Sequence, residues 1–128
     1  MNKNSYKDLI VWQKATDVAL LTYEITKKFP KDEIYGLTSQ MRRAAVSIPS
    51  NIAEGKMRGY TEEWKRFLLI AYGSAAELET QIEIAQKLGL IDAKNYARIN
   101  EQLQEVMKML NVMSSPSSAK SYRLSPIA

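Results

Sequence analysis

Two residue types are missing outright, because the 128 residues contain neither cysteine nor histidine. Without cysteine there is no disulfide framework, and a cytoplasmic location is the default expectation. The lack of histidine removes the usual general base, the Ser-His and Cys-His nucleophile pairs and the commonest metal ligand. It also disfavours diiron bundle chemistry, which characteristically uses Glu-x-x-His pairs on two helices. Long apolar runs are absent too: none approaches the roughly 18 residues that span a bilayer. Residues 1–6 lack the apolar stretch and small-residue cleavage site of a secretory signal. No phosphate-binding glycine loop, zinc-spaced cluster or nucleophile elbow occurs. The expectation is a non-enzymatic protein with no cofactor, no metal and no membrane partner.

What is present is helical periodicity. Val11, Ala15, Val18, Thr22, Ile25 and Phe29 alternate at spacings of four and three. They predict a first helix capped by Asp8 and stopped at Pro30. Leu37, Met41, Ala44, Ile48 and Ile52 continue one face straight through Pro49. Proline in a helix interior costs about 3 kcal/mol, so the unbroken phase predicts one kinked helix, ending at Gly55. Thr61 is the expected cap of a third helix, with Glu62 and Glu63 in its first turn. That helix carries Trp64, Phe67, Leu68, Ala71, Ala75, Leu78, Ile82 and Ala85 inward. Gly73 sits in its small-residue middle and costs up to about 1 kcal/mol relative to alanine; close approach of a neighbouring backbone is the expected compensation. Asp92 caps a fourth helix, where Tyr96, Ile99, Leu103, Val106, Leu110 and Met113 follow a three-four repeat. Three short connections between long amphipathic helices predict an all-α, antiparallel up-down-up-down four-helix bundle over residues 1–113. Residues 114–128 read as a Ser/Pro-containing, flexible tail.

Charge is unevenly placed. Residues 27–66 carry nine Lys or Arg against five acids, whereas residues 77–113 carry four against six. Arg42, Arg43, Lys56, Arg58, Lys65 and Arg66 are therefore the candidate nucleic-acid-binding residues, since guanidinium forks suit phosphate oxygens. A second stripe, Ser47, Pro49, Asn51 and Glu54, has a structural reading. Ser47 or Asn51 can satisfy carbonyls near Pro49, and Glu54 can pair with Arg58. Trp12, Trp64, Phe67, Tyr72 and Tyr96 fit core or interface positions, while Tyr35 and Tyr60, in connections beside basic residues, are the better base-stacking candidates. Glu79 and Glu83 read as solvated or interfacial carboxylates.

Four blocks occur in order: Asp8-Leu9-Ile10-Val11-Trp12-Gln13-Lys14-Ala15, then Tyr35-Gly36-Leu37-Thr38-Ser39-Gln40-Met41-Arg42-Arg43-Ala44-Ala45, then Ser47-Ile48-Pro49-Ser50-Asn51-Ile52-Ala53-Glu54-Gly55, then Phe67-Leu68-x-x-Ala71-x-Gly73-Ser74-x-x-Glu77-Leu78-Glu79. Together they resemble the 23S rRNA intervening-sequence proteins, the S23 family, over roughly residues 6–113. The resemblance implies a small bacterial bundle, commonly a ring-like homopentamer, without enzymatic activity. It also implies similarity to retroelement accessory proteins that bind nucleic acid and a reverse transcriptase. The expected function is thus an oligomeric scaffold for RNA or DNA backbone; the alternative is a protein-interaction scaffold in which the same arginines make intersubunit salt bridges.

Overall fold

Four amphipathic helices form because each carries one continuous apolar face. In the computed structural model, which describes residues 5–115, these are α1 (Ile10–Thr26), α2 (Ser39–Arg58), α3 (Thr61–Lys87) and α4 (Ala93–Ser114). The expected tail lies outside the described residues beyond Ser115. The inward faces merge into one core in which Met41, Ile48, Ile52, Leu68, Leu78, Ile82, Ile99, Leu103 and Leu110 are fully buried. Trp12, Trp64, Tyr72 and Tyr96 pack on its margins, half-buried.

Side-chain contacts fix the topology. Arg42 near the start of α2 bonds Thr26 at the end of α1. Ser47 meets Ser74 midway along α2 and α3, and Gly55, late in α2, abuts Phe67, early in α3. Glu83, late in α3, accepts from Tyr96, early in α4, whereas the earlier Glu79 accepts from the later Gln104. The α1–α4 seam runs the same way, with Lys14 paired to Glu105 and Glu24 to Arg98. Early residues meet late ones on every seam, so each neighbouring pair is antiparallel and the bundle is up-down-up-down.

The helix ends differ from the sequence expectation at four places. Asp8 does not cap α1. It closes a 3-10 turn, Tyr6–Asp8, capped by Ser5, and extended Leu9 precedes the helix without a side-chain cap. α2 begins at Ser39, two residues beyond Leu37, where the expected apolar face starts, because Ile34–Thr38 form a π-type turn whose backbone leaves helical geometry at Gly36 (φ −116°, ψ −112°). α2 runs past Gly55 to Arg58 and ends at Gly59, whose φ of +79° glycine adopts without strain. Tyr60, not Thr61, is the extended residue before α3, and Thr61 is already helical. Asp92 does cap α4, its Oδ1 accepting from the Asn95 amide at 2.7 Å.

The close approach expected at Gly73 falls at Gly55 instead. A Cβ on Gly55 would lie 2.7 Å from Phe67 Cβ and 3.1 Å from Trp64 Cε3, so this is where α2 and α3 approach closely. A Cβ on Gly73 would meet nothing within 4 Å. Gly73 points outward, and among the described residues no neighbouring backbone compensates its helix cost.

Candidate nucleic-acid interface

Pro49 is buried inside α2, and the helix continues through it as the apolar phase predicts. Its ring nitrogen has no hydrogen to offer the Ala45 carbonyl. Asn51 does not serve that carbonyl. Its Nδ2 donates instead to the Ser47 carbonyl at 2.8 Å and to Ser47 Oγ at 2.9 Å. Ser47 Oγ in turn shares a hydrogen bond with Ser74 Oγ at 2.8 Å. The polar stripe is therefore a hydroxyl-amide chain crossing the α2–α3 seam. Glu54 belongs to a different contact, accepting from Arg58 at 2.9 Å one turn on.

The six basic candidates do not form one surface. Arg42 and Arg43 lie in the first turns of α2, whereas Lys56 and Arg58 lie in its last; at 1.5 Å per residue, Arg43 and Arg58 are about 22 Å apart along the axis. The α2–α3 elbow gathers Lys56, Arg58, Lys65 and Arg66 at one pole. Arg42 and Arg43 stand toward the other.

At the elbow, Arg58 pairs with Glu54 and reaches Glu63 at 3.7 Å, and Arg66 reaches the same Glu63 oxygen at 3.4 Å. Their guanidinium carbons lie 5.0 and 5.3 Å from the Phe67 ring centre, within cation–π range. The Glu54 hydrogen bond holds the Arg58 guanidinium above its ordinary value, burial opposes it, and the charges of Glu54 and Glu63 add to it. Lys56 and Lys65 make no ion pair among the described residues. Tyr60 stands 73% exposed on the turn and lines a small hollow with Lys56 and Trp64.

At the opposite pole the adjacent arginines differ. The Arg42 side chain folds onto α1: its Nε donates to Thr26 Oγ1 at 2.8 Å, its Nη2 to the Tyr23 carbonyl at 3.5 Å, and its Cζ stands 4.5 Å over the Tyr23 ring. One position along, about 100° around the helix, Arg43 is exposed and makes no ion pair among the described residues. Both line an open groove of about 700 Å³ with Tyr23, Ile34 and Val46. Tyr35, on the adjoining turn, is 97% exposed. Sequence reasoning named the arginines and Tyr35 but missed the groove, whose apolar wall comes from three separate segments.

On the α3–α4 seam, Glu79 and Glu83 are interfacial. Each accepts from an α4 side chain. Among the described residues no three acidic side chains gather as a metal site, and no helix is long and apolar enough to cross a membrane.

An all-α antiparallel bundle with basic groups at two poles and a hydroxyl-amide seam across a proline-bearing helix is the class of protein these features define. The sequence profile of the 23S rRNA-intervening sequence proteins matches residues 7–112, and the chain belongs to that family. Among solved structures, it is similar to a protein of unknown function from the S23 ribosomal protein family of Bacteroides thetaiotaomicron. The TM-score is 0.75 at 23% identity, covering 83% of this chain and 99% of that one. At that identity the likeness speaks for the fold alone. No curated protein matches the chain.

Proposed function

We propose that this protein is a non-catalytic, homo-oligomeric, cytoplasmic scaffold that holds RNA or DNA by its phosphate backbone. The observation that carries the reading is the α2–α3 elbow, where Lys56, Arg58, Lys65 and Arg66 flank an exposed Tyr60. Glu54 and Glu63 fix the two arginines, while half-buried Lys56 and Lys65, in no ion pair among the described residues, are left to meet phosphates. Arg43, with Arg42 behind it, supplies a second contact at the other pole. The outer face of α3 supports assembly: Leu69, Ile70 and Ile84 are 40–56% exposed around Gly73, over which there is open space. A second subunit packed there would supply the close approach that the described residues do not provide, and the family resemblance favours a closed pentamer.

The test is binding of a mixed-sequence RNA across a salt series, by filter retention. A steep fall in affinity with salt, little sequence preference, and a slope reduced by about one for each of Lys56→Ala and Lys65→Ala are expected. Absence of binding at low salt overturns the reading.

The same α3 face favours a second reading, a protein-interaction scaffold without nucleic acid. Native mass spectrometry separates the two: a clean oligomer without bound nucleic acid supports the scaffold alone. A reverse transcriptase, by distant analogy, is one partner to offer it.

A further inference from the structure

The groove between the end of α1, the Ile34–Thr38 turn and the start of α2 is not needed for backbone binding at the elbow, yet it is chemically shaped. Three apolar side chains wall it, Tyr23, Ile34 and Val46, and each is 42–48% exposed. Arg42 and Arg43 are its charged lining residues, and no acid lines it. The Arg42 guanidinium is held over the Tyr23 ring, its Cζ 4.5 Å from the ring centre, by its bonds to Thr26 and the Tyr23 carbonyl. Thr38, also in the lining, is 5% exposed, and its buried hydroxyl has no partner among the described residues. The volume, about 700 Å³, falls within the range of small-ligand sites.

The geometry points to a single unstacked nucleotide as the occupant, its base against Ile34, Val46 and the Arg42–Tyr23 pair, and its phosphate on Arg43. This inference rests on the nucleic-acid reading and deepens it. Apolar walls exclude a bare phosphate as the sole ligand. Cations without acids call for an anion, and a guanidinium plane fixed on an aromatic ring is a surface on which an unpaired base stacks. A base within a duplex cannot enter without unpairing, so the groove selects single strands whereas the elbow does not.

The experiment compares a fluorescein-labelled short oligouridylate with an RNA duplex of equal length, by anisotropy at one salt concentration. The probes are titrated with the full chain and with the double variant Ile34→Ser, Val46→Ser. Both substituted residues are exposed, and an unchanged melting temperature verifies the fold. The parent is expected to prefer the single strand. In the variant, single-strand affinity falls at least about fivefold, while duplex affinity and salt slope stay as they were. A variant that keeps the parent's preference, or a parent that prefers duplex, overturns the inference and leaves backbone binding at the elbow standing. Failure of both probes to bind at low salt removes the nucleic-acid reading itself. Polyglutamate binding that the double variant abolishes, with oligouridylate unaffected, overturns the inference in favour of an acidic peptide.

Discussion

Gly55 of α2 and Phe67 of α3 are so close that a single added methyl group would sit 2.7 Å from the Phe67 Cβ. That carbon is fixed to the backbone and cannot swing aside. Gly55→Ala is therefore expected to force the two helices apart and destabilise the bundle by about 1–3 kcal/mol, even though alanine is the better helix former. Chemical denaturation measures it, and a variant as stable as the parent would show that the α2–α3 seam yields freely.

Gly73 predicts the opposite sign for the isolated fold. Nothing lies within 4 Å of its missing Cβ, so Gly73→Ala should stabilise the subunit by up to about 1 kcal/mol through helix propensity. If α3 forms the subunit contact, Gly73→Trp should lower the assembled mass measured by light scattering while leaving helical content unchanged. Intact assembly would place the contact elsewhere.

The neighbouring arginines should separate cleanly. Arg42→Ala loses a bond to Thr26 and the contact over Tyr23, and about 1–2 kcal/mol of stability is the expected loss. Arg43→Ala should change the melting temperature little, since its exposed side chain makes no ion pair among the described residues. Nucleic-acid affinity should fall in both. Equal melting temperatures for the two variants would contradict the assignment of Arg42 as a bridge.

How much of this was legible in the sequence depends on dimension. Positions such as Ile99, Leu103, Val106 and Leu110, or Met41, Ile48 and Ile52 on either side of Pro49, announce themselves because burial repeats along a line. Asp92 did too, since capping is local. Gly55 and Gly73 did not: each obeys the same one-dimensional rules, and only the partner helix decides which is crowded. Asp8 misled because a carboxylate fits a 3-10 turn as well as a cap. Arg42 and Arg43 share a composition argument and differ by one step around the helix, which is enough to commit one to α1 and free the other. The groove stayed hidden because Tyr23, Ile34 and Val46 converge only after the Gly36 turn is made.

Tyr96 gives a pH signature. Its hydrogen bond to Glu83 raises the phenol above its ordinary value, with burial and the charges of Glu83 and Glu79 pushing the same way. The folded chain thus holds this proton more tightly than the unfolded one. Its contribution is complete below the unfolded value, near 10, and is lost as pH rises beyond that through the folded value. In absorbance titration at alkaline pH, one of the seven tyrosines should ionise late, and Tyr96→Phe should remove that component. A late component that survives in Tyr96→Phe would refute the link.

Because α1 and α4 run antiparallel along a seam tied by Lys14–Glu105 and Glu24–Arg98, the first turn of α1 and the last of α4 share a pole with the Lys56–Arg66 elbow. A reporter or tether joined at either helix terminus would emerge beside the elbow and leave the Ile34 groove at the far end clear. Joining the two termini by a short linker and reopening the chain at Gly89 would preserve all four seams. The bundle is thus suited to circular permutation, and the permutant would present the groove, rather than the elbow, next to its new ends.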